Sequence, residues 1–79
     1  MRVLFFAQLK DATGCESAEF SVPSELTAGQ LWNLLIGKFP ALASYQKQVR
    51  LSRNWVYAEE RSLFENGDEV ALIPPVSGG

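Results

Sequence analysis

The chain has no histidine among its 79 residues. That removes imidazole acid–base chemistry and the commonest protein metal ligand in one step. Cysteine occurs once, at Cys15, so an intrachain disulfide is excluded. Cys15 sits beside Glu16 rather than beside a base, in a stretch that reads as a loop, so an incidental cysteine is expected and not a nucleophile. No apolar run is long enough to span a bilayer and no signal peptide is recognisable, which points to a reducing, cytoplasmic setting with no membrane partner. The glycines at 14, 29, 37 and 67 are isolated, so there is neither a Walker A loop nor a dinucleotide fingerprint. Positive charge is also sparse. Seven basic residues against nine acidic ones give a net charge of -2, and the basic residues are dispersed, which argues against a nucleic-acid partner. Arg50 and Arg53 form at most a local patch, expected at a solvated strand edge or the rim of a protein contact.

What remains is ordinary globular composition, 47% hydrophobic and 20% charged. A chain this short makes one domain and buries only about 60% of the surface its unfolded state exposes. Residues 2–8, Arg-Val-Leu-Phe-Phe-Ala-Gln, are aromatic and β-branched enough for a strand. Residues 10–16 are polar, contain Gly14 and read as a loop. Over 17–22, Ala18, Phe20 and Val22 alternate with Ser17, Glu19 and Ser21, the period of a half-buried strand that closes a hairpin and ends at Pro23.

Thr27-Ala28-Gly29-Gln30 has the form of a capping box, so a helix starts at Thr27. Leu31, Leu34, Leu35 and Phe39 recur at helical spacing, and Pro40 bars continuation. Trp32 lies near the edge of that stripe and is expected in the core. After a loose stretch through Gln48, Val49 to Ser52 alternates as a strand, Asn54 begins a turn, and Val56 to Ala58 pair briefly. Leu63 and Phe64 are expected beneath an Asn66-Gly67 turn with its acids in solvent, before a last strand from Glu69 to Ile73. The first and last strands, both strongly apolar, suit the sheet centre. This order gives an α+β fold, one mixed twisted sheet packed on one main helix.

Asp68 to Ile73 then runs into Pro74-Pro75-Val76-Ser77-Gly78-Gly79. The two prolines remove N–H donors and fix φ, which stops the strand and stiffens the exit. A Gly-Gly terminus has no Cβ atoms, so it fits a narrow slot and presents its carboxylate as a candidate substrate. The chain therefore divides into a domain, 1–75, and a flexible tail, 76–79. No self-contained active site is visible.

Val3-Leu4-Phe5-Phe6-Ala7, the turn Asn66-Gly67-Asp68-Glu69-Val70 and the ending Pro74 to Gly79 together resemble the small subunits of molybdopterin synthase, the MoaD family of sulfur carriers, over the whole length. The Gly-Gly alone is shared with the thiamine sulfur carrier, the ubiquitin-related modifiers and ubiquitin. The resemblance implies a ubiquitin-like β-grasp fold. It implies that an E1-like adenylating enzyme uses ATP to activate Gly79, which becomes a thiocarboxylate and donates sulfur to cyclic pyranopterin monophosphate. The chain itself would bind no cofactor, and catalytic groups would lie on the large subunit of a heterotetramer. Gly78 would give a slim approach, Ser77, Val76, Pro75 and Pro74 would dock the tail, and Phe6 and Tyr57 are possible interface residues. Some relatives place phenylalanines before the proline pair, where this chain has Leu72 and Ile73. Sulfur carriage for thiamine or transfer-RNA thiolation, and protein modification, use the same terminus.

Overall fold

The computed structural model describes residues 1–75. In chain order these form β1 (Arg2–Phe5), α1 (Gln8–Thr13), β2 (Ser17–Glu19), β3 (Leu26–Thr27), α2 (Ala28–Lys38), a 3-10 turn (Pro40–Tyr45), β4 (Arg50–Arg53), β5 (Val56–Tyr57), β6 (Leu63–Phe64) and β7 (Glu69–Ile73). The expected tail, 76–79, lies outside the described residues.

β7 is the centre of a five-stranded mixed sheet, in the order β2-β1-β7-β4-β5. β1 runs parallel to it, with Val3 opposite Val70 and Phe5 opposite Leu72. β4 runs antiparallel, with Leu51 opposite Leu72. Alternation along these strands sends Val3, Phe5, Val70 and Leu72 to one face, where all are buried against Leu31, Trp32 and Leu35 of α2. Two central strands covered by a helix on this face explain why the first and last segments are the most apolar. Phe39, just past α2, meets Phe5 edge-to-face with ring centroids 5.4 Å apart.

α2 begins as its sequence requires. Thr27 Oγ1 accepts from the Gln30 amide and Gln30 Oε1 accepts from the Thr27 amide, a complete capping box. Trp32 is buried in the core.

Several local expectations change. The first strand stops at Phe5, because Ala7 takes φ 50 and turns the chain. Residues 10–16 are not a plain loop: α1 spans Gln8–Thr13, seats the fully buried Leu9 against the core and ends on Gly14 at φ 77. Cys15 follows it, half-buried beside Thr13. β2 is short, yet Phe20 and Val22 beyond it are buried as their alternation demands. The stretch after Pro40 is a 3-10 turn that buries Leu42. Leu26–Thr27 pairs with Leu63–Phe64 in a small second sheet, in which Phe64 is buried and Leu63 is exposed.

Candidate functional site

The exit to the tail is built on the most buried strand. Val70, Ala71 and Leu72 are buried, Ile73 and Pro74 are half-buried and Pro75 is exposed. β7 is hydrogen-bonded on both sides, so the point at which the prolines take over is held by two neighbouring strands. Of the sequence-predicted tail residues, Pro74 and Pro75 stand at this exit, and Val76, Ser77, Gly78 and Gly79 lie outside the described residues.

The opposite end of β7 is fixed by polar contacts. Gly67 takes φ 93 in the turn before β7, as its position predicts. Its neighbour Asp68 is a correction: the carboxylate is not in solvent but only 7% exposed. It accepts from Arg53 Nε at 2.7 Å, Asn54 Nδ2 at 3.2 Å and the Glu65 amide at 2.9 Å. Burial opposes ionisation of Asp68, but these hydrogen bonds and the guanidinium charge outweigh it and hold the carboxyl below its ordinary range. Asn66 is likewise more than a turn former, since its side chain accepts from the Val22 amide and donates to the Val22 carbonyl.

Arg53 thus faces acids, Asp68 and also Glu65 at 3.5 Å, and does not form a patch with Arg50. Arg50 alternates to the sheet face away from α2, where its guanidinium lies 4.0 Å over the Tyr57 ring. Tyr57, Trp55, Ser52 and Ile73 line a hollow of about 210 Å³ on that outer face, immediately before Pro74. Phe6 is half-buried and lines a different hollow, with Arg2, Leu4 and Lys10. The two possible interface residues therefore do not share one hollow. Trp55 and Ser52 carry no sequence motif. The signal that finds them is the two-residue loop Asn54–Trp55 between Arg53 and Val56, which fixes the register that puts Ser52 opposite Tyr57.

A mixed sheet with α2 across one face and a central last strand running to its exit defines a ubiquitin-like β-grasp protein. A crystal structure of the small archaeal modifier protein 1 of Haloferax volcanii superposes with a TM-score of 0.83 at 32% identity, covering 99% of this chain and 97% of that one. The human molybdopterin synthase sulfur carrier subunit is 38% identical, with 100% of this chain and 93% of the relative covered. The corresponding Arabidopsis thaliana subunit is 34% identical, over 100% of this chain and 82% of the relative. A family model described as the ThiS family matches residues 3–79, and the chain belongs to that family, as a carrier of the molybdopterin synthase small-subunit type. Among the described residues no helix is long and apolar enough to cross a membrane.

Proposed function

We propose that the chain carries sulfur on Gly79 for molybdopterin synthesis. The observation that carries this reading is the run of the central strand β7 into Pro74 and Pro75, in a chain that matches molybdopterin synthase sulfur carrier subunits over its full length. A buried, doubly paired strand gives the tail a fixed base, and the prolines add no N–H donors with which it would pair back onto the sheet.

A carboxylate is a poor electrophile because oxide is a poor leaving group. An E1-like enzyme therefore joins the Gly79 carboxylate to AMP from ATP, releasing pyrophosphate. A persulfide sulfur attacks the acyl carbon and displaces AMP, and cleavage of the resulting S–S bond by a thiol leaves a thiocarboxylate on Gly79. That group is an ionised sulfur nucleophile at neutral pH, and it attacks cyclic pyranopterin monophosphate held by the large subunit. Gly78 keeps the approach slim and residues 74–77 dock along the partner channel through backbone and apolar contact. Acid–base groups come from the large subunit, which suits a small subunit without histidine. A solved complex of subunits 1 and 2 of a molybdopterin-converting factor from Helicobacter pylori, whose small subunit shares this fold, supports a two-subunit arrangement.

The test is the intact mass after incubation with the activating enzyme, ATP and a persulfide donor. A gain equal to exchange of one oxygen for one sulfur, absent when Gly79 is deleted, is the expected result. The similarity to an archaeal modifier protein favours one second reading, in which Gly79 forms isopeptide bonds to lysines. Covalent conjugates in extract without the mass gain would replace the carrier reading with that one.

A further inference from the structure

Asn66-Gly67 is the one Asn-Gly pair in the chain. The pair is chemically labile, because a glycine has no side chain to keep its amide nitrogen from reaching the asparagine Cγ and closing a five-membered ring. The turn needs only half of it. Gly67 takes φ 93 while Asn66 stays at negative φ, as in a type II turn, whose first central position accepts many residues. What asks for asparagine there is Val22, a buried residue 44 positions away: Asn66 Oδ1 accepts from its amide at 3.0 Å and Asn66 Nδ2 donates to its carbonyl at 2.7 Å.

The same two bonds stand in the way of ring closure. Cγ has to swing onto the Gly67 nitrogen, which breaks both contacts with Val22. The peptide between Asn66 and Gly67 has to turn as well, against the bond from the Asp68 amide to the Glu65 carbonyl at 3.1 Å. Asn66 is itself exposed, so hydrogen bonding and not burial holds it.

We propose that Asn66 is a self-modification site, a deamidation switch that the fold keeps shut and that, once thrown, weakens the fold that guarded it. The Gly67 nitrogen gives up its proton and bonds to Cγ. The Cγ–Nδ2 bond breaks and Nδ2 leaves with a proton as ammonia, giving a succinimide. Water then opens one of the two ring C–N bonds and leaves aspartate or isoaspartate, so the balance is one water in and one ammonia out.

Either product spoils the contact. Aspartate sets a carboxylate oxygen against the Val22 carbonyl where Nδ2 had donated, and adds a charge beside Glu65 in a turn whose Arg53 already serves Asp68 at 2.7 Å and Glu65 at 3.5 Å. Isoaspartate adds a carbon to the main chain inside the turn closed by Glu65 and Asp68. The Asp68 carbonyl accepts from the Arg2 amide at 2.9 Å, so that change reaches the start of both β1 and β7. Time spent open thus leaves a covalent record, and the step does not reverse when the chain refolds.

The experiment ages the full-length chain in mildly alkaline buffer, with and without unfolding urea, and locates the amide-to-acid mass change by peptide mapping. Asn33 and Asn54, which glycine does not follow, serve as internal references. Asn66 is expected to convert to aspartate and isoaspartate in urea and at least about tenfold more slowly in the folded chain. Asn66→Asp is expected to lower the melting temperature by at least about 5 °C. Equal rates with and without urea would mean that Val22 guards nothing and would overturn the proposal. Aspartate without isoaspartate would overturn the ring closure. An Asn66→Asp variant that melts with the unaltered chain would overturn the claim that modification weakens the fold. Should that variant fail to fold, the aged sample itself decides: after urea is removed, modified chains are expected to unfold at lower urea than unmodified ones in the same tube, and coincident transitions would count against the switch.

Discussion

Arg53 Nε donates to Asp68 Oδ2 at 2.7 Å, tying the β4–β5 hairpin to the turn that starts the central strand. The backbone repeats the link, with the Asn54 amide donating to the Glu69 carbonyl and Asn54 Oδ1 accepting from the Glu69 amide. Asp68 is held below its ordinary range, so the unfolded chain takes up this proton first as pH falls. Its contribution is therefore complete above about 3.8, the unfolded value, and is lost as pH drops through the lower folded value. Asp68→Asn is expected to cost about 2 kcal/mol at neutral pH, since three donors lose a charged acceptor. It is also expected to flatten the acid limb of the stability profile. Urea midpoints at pH 7 and pH 3 check both, and an unchanged acid limb would assign that limb to other carboxylates.

The start of α2 is testable in isolation. Thr27→Ala removes the oxygen that accepts from the Gln30 amide and is expected to cost about 1 kcal/mol. The residue is exposed, so the loss reports the cap and not a cavity. Thr27→Ser, which keeps the oxygen, should recover most of the urea midpoint.

Two glycines should respond with opposite sign. Gly67 has φ 93 and open space where a Cβ would stand, so Gly67→Ala costs backbone strain alone, about 1–2 kcal/mol. Gly37 lies inside α2, exposed and equally unobstructed, and Gly37→Ala should stabilise by about 0.5–1 kcal/mol. Thermal melts of the two variants decide it. A matching sign would mean that helix propensity at 37 is overridden by its surroundings.

How far the sequence could be read follows from which interactions are local. The capping box, the Leu31–Leu35 stripe and the apolar run that ends at Ile73 are patterns within a few residues, and each appears in the structure as read. α1 was hidden because it has one strongly apolar anchor, Leu9, and starts at a positive φ on Ala7 that no propensity announces. Pairing of β3 with β6 joins segments 37 residues apart through two residues each, too short for a periodic signal. The burial of Asp68 depends on Arg53 arriving from another strand, so Asn-Gly-Asp alone reads as a solvated turn. Pro74 and Pro75 stand at the end of β7, where their place directly after the apolar run puts them, and Gly78 and Gly79 lie outside the described residues. The hollow of Ser52, Trp55, Tyr57 and Ile73 exists only once β4 lies between β5 and β7.

The carrier reading makes the position of the last carbonyl the decisive quantity. Each added residue lengthens an extended chain by about 3.3–3.6 Å. Misplacement of a reacting atom by about 1 Å is enough to cost two orders of magnitude in rate. One alanine added after Gly79 is therefore expected to abolish sulfur transfer to cyclic pyranopterin monophosphate. Melting temperature should not change, because the β-grasp core ends with β7 and the addition lies beyond the two prolines. Thiocarboxylate formation and sulfur transfer are to be followed separately, by intact mass and by molybdopterin product, so that loss at the activating enzyme is told apart from loss at the large subunit. Full product formation by the extended chain would end the terminal-carboxylate mechanism, whatever the affinity of the two subunits.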